Sequence, residues 1–184
     1  MLLETPLCDF GWKAPSFSLE DTAGNTHTLD SLMGEKGLLV CFICNHCPYV
    51  IAIIERLVHD AKLLQDEGIE VVAIMPNDFT AYPEDSPTNM AIFAKEHGFT
   101  FPYLVDATQS VAKAYDAVCT PDFFGFNSNV ELQYRGRLDD AKMEDKMNIN
   151  KELLDAMIQV AQTGKGPKEQ IASMGCSIKW KTVN

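Results

Sequence analysis

Two cysteines three positions apart, Cys44 and Cys47, enclose Asn45 and His46 and are followed by Pro48. Within one helical turn such a pair can close a disulfide with little backbone movement, so it can cycle between dithiol and disulfide. That cycle needs one sulfur as a thiolate, the nucleophilic form. A helix start favours a thiolate, because it offers unpaired backbone N–H groups and the positive end of the dipole. Pro48 cannot donate a helical hydrogen bond and belongs in a first turn, which keeps both cysteines at the mouth of the helix. His46, as a cation or hydrogen-bond donor, would favour a Cys44 thiolate. Stabilising the reduced pair makes its disulfide a stronger oxidant. As a solvated loop residue His46 would do neither. The same cysteines could form half of a zinc site, but zinc usually takes four ligands, and no second Cys-x-x-Cys or His pair occurs.

The flanking sequence positions this pair. Residues 38–43 form a short, continuously apolar run, which fits a strand buried on both faces. Val50, Ile51, Ile54, Leu57, Val58, Ala61 and Leu64 recur at three- and four-residue steps and predict one amphipathic helix ending at Gly68. Residues 69–75 read as a second buried strand, stopped by Pro76. Strand, helix and strand make a βαβ unit with parallel strands. Upstream, residues 17–19 and 26–29 flank a turn and predict a β-hairpin. Downstream, the pattern predicts a loop over 76–87, helices over 86–97, 108–118 and 150–163, and a strand over 101–105. Residues 122–126 and 131–135, joined by Asn127-Ser128-Asn129, predict an antiparallel hairpin. A tail over 165–184 carries Cys176 and Trp180.

The chain has 184 residues, 46% of them hydrophobic, which fits one globular domain. Fifteen basic and 26 acidic residues give a net charge of −11. No basic stripe is present to neutralise phosphates, so nucleic acid and anionic membrane surfaces are not the expected partners. No apolar run reaches the length of a membrane span. Residues 1–10 carry Glu4 and Asp9 and lack the basic start of a secretory signal, so a cytoplasmic protein is expected. The six cysteines are too sparse for a disulfide-stapled domain, and their short spacing suggests redox or metal chemistry.

With strand, Cys-x-x-Cys, helix, strand, and later Cys119-Thr120-Pro121 before a hairpin, the chain resembles the thioredoxin fold. More closely it resembles the redoxin branch named for alkyl hydroperoxide reductase and thiol-specific antioxidant. The resemblance rests on residues 14–17, 44–50, 77–87, 118–124, 134–140 and 175–180. It implies a thioredoxin-like α/β three-layer sandwich, a central mixed sheet flanked by helices with an N-terminal hairpin. It implies a thiol–disulfide oxidoreductase acting on protein or small-molecule disulfides and thiols, with no cofactor and no metal. Cys44 would attack and Cys47 resolve. Pro121 would take a cis peptide bond facing the pair, and Thr120 would offer its backbone to an extended substrate by strand addition. His46, Cys119 and Cys176 would be modulators, the last if the tail folds back over the site. Leu38 stands where thioredoxins carry a buried acid, and Ile43 where they carry Trp. A second reading, a thiol peroxidase with Cys47 as the peroxidatic residue, follows from Cys47-Pro48; there Cys44 takes the Thr position and Pro121 that of the polarising Arg. A non-catalytic binding or zinc-holding module is the third.

Overall fold

In the computed structural model, which describes residues 1–182, a short β1 (Leu2–Glu4) precedes the expected hairpin. Its strands are β2 (Ser18–Asp21) and β3 (Thr26–Thr28). Asp21 closes the turn by accepting the Ala23 and Asn25 backbone N–H groups, both at 2.9 Å. Thr28 then caps the single turn α1 (Leu29–Leu32) by accepting the Ser31 N–H.

β4 (Gly37–Phe42) is buried at every position, as its unbroken apolar run requires. The helix after it comes in two pieces, α2 (Pro48–Ile51) and α3 (Ile54–Asp66), rather than one. At the break Arg56 Nη1 donates to Ala52 O, the carbonyl that an unbroken helix would pair with the Arg56 N–H. Gly68, at φ +87°, follows the end of α3, and β5 (Ile69–Met75) runs parallel to β4, completing the βαβ unit.

The loop after β5 contains a 3-10 turn (Pro83–Asp85) and leads into α4 (Pro87–Glu96), N-capped by Ser86. β6 (Tyr103–Val105) and α5 (Ser110–Ala114) follow. α5 is shorter than the sequence suggests, because Gln109 and Asp116 bracket it at φ +63° and +52°, where a right-handed helix cannot propagate. Next come β7 (Cys119–Thr120), β8 (Asp122–Asn127), β9 (Leu132–Tyr134), α6 (Glu152–Thr163) and β10 (Met174–Ser177).

The main sheet has the order β3-β2-β6-β5-β4-β8-β9. β4, β5 and β6 are parallel, and the outer pairings are antiparallel. Side-chain alternation sorts β4 into two cores. Leu39, Cys41 and Ile43 pack with Leu57 of α3, Met90 of α4 and Met157 of α6. Leu38, Val40 and Phe42 pack with Leu29 of α1 and Val111 of α5. Helices therefore cover both faces, which is the thioredoxin-like sandwich with a mixed sheet. A second, antiparallel sheet has the order β1-β10-β7. The tail thus supplies a strand, and the last two residues of the expected 165–184 segment lie outside the described residues.

Candidate active site

The end of β4 and the start of α2 bring Cys44 and Cys47 onto one residue. Cys44 Sγ lies 3.4 Å from Thr120 Oγ1, and Cys47 Sγ lies 3.2 Å from Thr120 O. The Thr120–Pro121 peptide is cis. The helix mouth belongs to Cys47, which is the N-cap of α2 with Pro48 at N1. Cys44 sits three residues earlier, outside the turn.

This offset divides the two sulfurs electrostatically. A hydrogen bond from the Cys44 thiol pulls the Cys47 thiol well below its ordinary range, against burial. The Cys176 and Val50 backbone N–H groups and the Cys176 thiol add to the pull. Cys44 moves the other way. Its bond to Cys47, its burial and the Asp85 carboxylate all hold the proton on it. These shifts favour the anion at Cys47, the N-cap, rather than at Cys44 as the sequence suggests. Thr120 O accepts only while Cys47 keeps its proton, so ionisation trades that contact for the opposing donors.

His46 reaches the site through an acid that sequence reasoning missed. Asp85, fully buried, accepts the Asn45 N–H at 2.8 Å and Asn77 Nδ2 at 2.8 Å. His46 Nδ1 lies 2.8 Å from Asp85 Oδ2, out of line for a well-formed hydrogen bond, and its ring stacks on Tyr82. Asn45 is clamped further by Nδ2 to Glu84 O and by the Tyr103 hydroxyl to its Oδ1, both at 2.9 Å. The turn Pro83–Asp85 thus grips the two residues between the cysteines. The usable signal was an acid held between Pro83 and Ser86-Pro87, in a stretch the family resemblance already marked.

Two expectations about access change. The pair is not open at a helix mouth: Cys44 and Cys47 are each only 1% exposed. Thr120 is also not a free edge for substrate, because β10 already pairs with β7, with Cys176 opposite Thr120. Gly175 makes this approach feasible, since a Cβ there would lie 2.0 Å from Thr120 O. A cavity of about 340 Å³ opens beside Pro121, lined by Tyr49, Ile53, Phe123, Leu138 and Met174 among others; neither reactive cysteine lines it.

The remaining cysteines separate clearly. Cys119 is buried, its thiol donates to Pro121 O at 3.6 Å, and burial pushes its pKa up. Cys41 is held protonated by burial in β4, and Cys8 is pushed up to about 12 by burial. Cys176 lies opposite Thr120, the residue that both reactive sulfurs contact. For a metal, Cys44, His46 and Asp85 offer donor atoms within 4.8 Å of one another. That is one short of a closed structural zinc site, and both Asp85 oxygens already accept N–H groups. The polar stretch at 135–140 forms ion pairs with residues outside it. Arg135 pairs with Asp122, Arg137 with Glu152, Asp139 with Arg56 and Asp140 with Lys146.

A family model described as AhpC/TSA matches residues 10–137. The chain belongs to the AhpC/TSA family. Among curated relatives, the thiol-disulfide oxidoreductase ResA of Bacillus subtilis is 29% identical over 143 residues, 77% of this chain and 75% of that protein. A solved, uncharacterised conserved protein from Geobacillus kaustophilus is 41% identical, covers 100% of this chain and 98% of that one, and superposes with a TM-score of 0.93. The thioredoxin domain of a thiol-disulfide oxidoreductase from Bacteroides vulgatus shares the fold at 17% identity, with a TM-score of 0.58 over 68% of this chain and 86% of that one.

The opposed shifts give a titration test of this AhpC/TSA site. In the reduced protein, Cys47 should be alkylated by iodoacetamide with a midpoint below the ordinary thiol range, and Cys44 with one above it. Asp85→Asn removes a negative charge facing Cys44, so the Cys44 midpoint should fall. Mass mapping of each alkylated cysteine against pH reads both shifts. Equal midpoints for the two cysteines would reject the asymmetry.

Proposed function

We propose that this chain catalyses thiol–disulfide exchange with protein or small-molecule disulfides, using Cys44 and Cys47. The observation that carries the reading is the convergence of both sulfurs on Thr120 with an ionisation preference split between them. The ResA relatives support it. The Cys47 thiolate attacks one sulfur of a substrate disulfide, forms a mixed disulfide and expels the first substrate thiolate. Cys44 then loses its proton and attacks the Cys47 sulfur. The Cys44–Cys47 disulfide forms and the second substrate thiolate leaves. His46 and Asp85, each with a donor atom within 4.8 Å of the Cys44 sulfur, are the groups placed to take that proton. They replace the buried acid for which Leu38 offers no equivalent. Exchange is reversible, and a depressed Cys47 pKa favours the reduced pair, hence an oxidising disulfide.

The same proposal treats the chain as one redoxin unit, since β1 pairs with β10 and β10 pairs with β7 at the site. Its setting is cytoplasmic. The test is reduction of insulin disulfides in the presence of dithiothreitol, followed as turbidity. Acceleration over the uncatalysed reaction is expected, and a blank-level rate rejects the function. The thiol peroxidase reading gains from the thiolate preference at Cys47. Hydrogen peroxide consumption that outpaces disulfide exchange and survives Cys44→Ser would install it instead.

A further inference from the structure

A third sulfur stands where an incoming substrate cysteine would stand. β10 runs antiparallel to β7 with Cys176 opposite Thr120, the residue both reactive cysteines touch. α2, capped by Cys47, packs against β10. The backbone N–H and the thiol of Cys176 both draw the Cys47 thiol toward its anion. The strand is fastened around this point. Ser173 Oγ donates to Pro121 O at 3.0 Å, Ser177 N to Met1 O at 2.8 Å, and Lys179 N to Asn77 Oδ1 at 2.9 Å. Asn77 also binds Asp85, so the tail and the acid beside Cys44 share one anchor. An extended substrate would add to this edge from another molecule; β10 does so from within the chain.

We propose that Cys176 is a third redox thiol of the site, which resolves mixed disulfides on Cys47 and holds a Cys47–Cys176 disulfide in exchange with Cys44–Cys47. The proposal rests on the thiol–disulfide exchange function above. In the first route a disulfide substrate is the oxidant. Cys47 carries one half of it as a mixed disulfide, Cys176 gives up its proton and attacks the Cys47 sulfur, and the substrate thiolate leaves with the bonding pair. In the second route Cys176 attacks Cys47 within the Cys44–Cys47 disulfide. One disulfide is lost and one formed, the proton passes from Cys176 to Cys44, and no electrons enter or leave.

The electrostatics time this step. Burial and the Cys47 charge keep the proton on Cys176, while Lys179 and the chain's amino terminus favour its anion. When Cys47 enters a mixed disulfide its charge disappears, and one barrier to Cys176 ionisation goes with it. Cys176 is thus restrained at rest and released once there is a disulfide to resolve.

Oxidised glutathione is the probe, applied to the reduced wild type, Cys44→Ser and Cys44→Ser/Cys176→Ser, followed by blocking of free thiols and peptide mapping. Cys44→Ser should yield a Cys47–Cys176 cross-linked peptide and lose Cys176 alkylation. The double variant should stop at glutathione on Cys47. Wild type should show both internal disulfides. Should Cys44→Ser instead keep glutathione on Cys47 with Cys176 fully alkylated, while wild type closes Cys44–Cys47, the third-thiol role falls and the exchange function stands. A wild type that does not react overturns both. Gly175→Ala guards against misreading a substitution at the sulfur itself: it pushes β10 off Thr120 with all sulfurs present and should reduce the yield of the Cys47–Cys176 peptide. An unchanged yield would count against the placement by strand pairing.

Discussion

Cys47→Ser should bring disulfide exchange down to the uncatalysed rate, a loss of at least about a thousandfold, because a serine hydroxyl does not ionise near neutral pH and is a poor nucleophile toward sulfur. Cys44→Ser should behave differently. The first attack needs only the Cys47 thiolate, and although the variant loses the pull of the Cys44 thiol, it keeps a serine hydroxyl that can donate in its place. Turnover should fall, yet Cys47 should still react once with a disulfide substrate. Thiol-blocked gels and intact mass separate the two variants: Cys44→Ser is oxidised at Cys47, as an adduct or as the Cys47–Cys176 disulfide that resolves it, whereas Cys47→Ser shows no product at this site. The opposite pattern would return the attacking role to Cys44.

The prediction turns on where the helix begins. Spacing alone places two cysteines within a turn of each other but does not say which one caps it. Pro48 at N1 settles that locally, since the residue before it must be the cap. The positive end of α2, with the Val50 N–H nearby, then acts on Cys47 rather than on Cys44. Asp85 enforces the division from the other side, since a carboxylate facing Cys44 makes a second negative charge there costly.

Features written in local pattern were legible. The βαβ unit, both hairpins and the sulfur pair between β4 and α2 follow from runs and periods within a few residues of each other. What escaped depends on partners far along the chain. Asp85 sits in a polar loop, where acids are usually solvated, and its burial is set by Asn45, forty residues earlier. β10 is only Met-Gly-Cys-Ser, with no alternation to announce a strand, and it is held by the two-residue β7 and by β1. The resemblance to related chains placed Thr120 beside the substrate. It did not reveal that the chain fills that edge itself. The charges at 135–140 suggest an ion-pair cluster, but Arg135, Arg137 and Asp139 pair with Asp122, Glu152 and Arg56 from other elements, which the local pattern does not show.

One of those pairs supports the site from behind and carries the largest expected stability effect. Asp122 follows Pro121 directly and is fully buried, and Arg135 reaches it with Nη2 at 3.1 Å. Arg135 also donates to Asp116 O at 2.9 Å and lies over the Phe124 ring, 4.3 Å from its centroid. Burial raises the Asp122 pKa from 3.8 to about 6, with Arg135 pulling it back. A carboxyl raised on folding adds stability in full below its unfolded value and loses it as pH rises through the folded one, so Asp122 costs most above about pH 6. Arg135→Ala removes the counter-charge and leaves a buried carboxylate, a loss of about 3–5 kcal/mol. The loss should be greatest near pH 8 and shrink toward about pH 5, where Asp122 takes up a proton and no longer needs the arginine. Melting temperatures of both proteins across that range measure it; a gap of about 10 °C at the alkaline end is expected. A gap independent of pH would mean that Arg135 acts through packing on Phe124 and the Asp116 carbonyl rather than through the charge of Asp122.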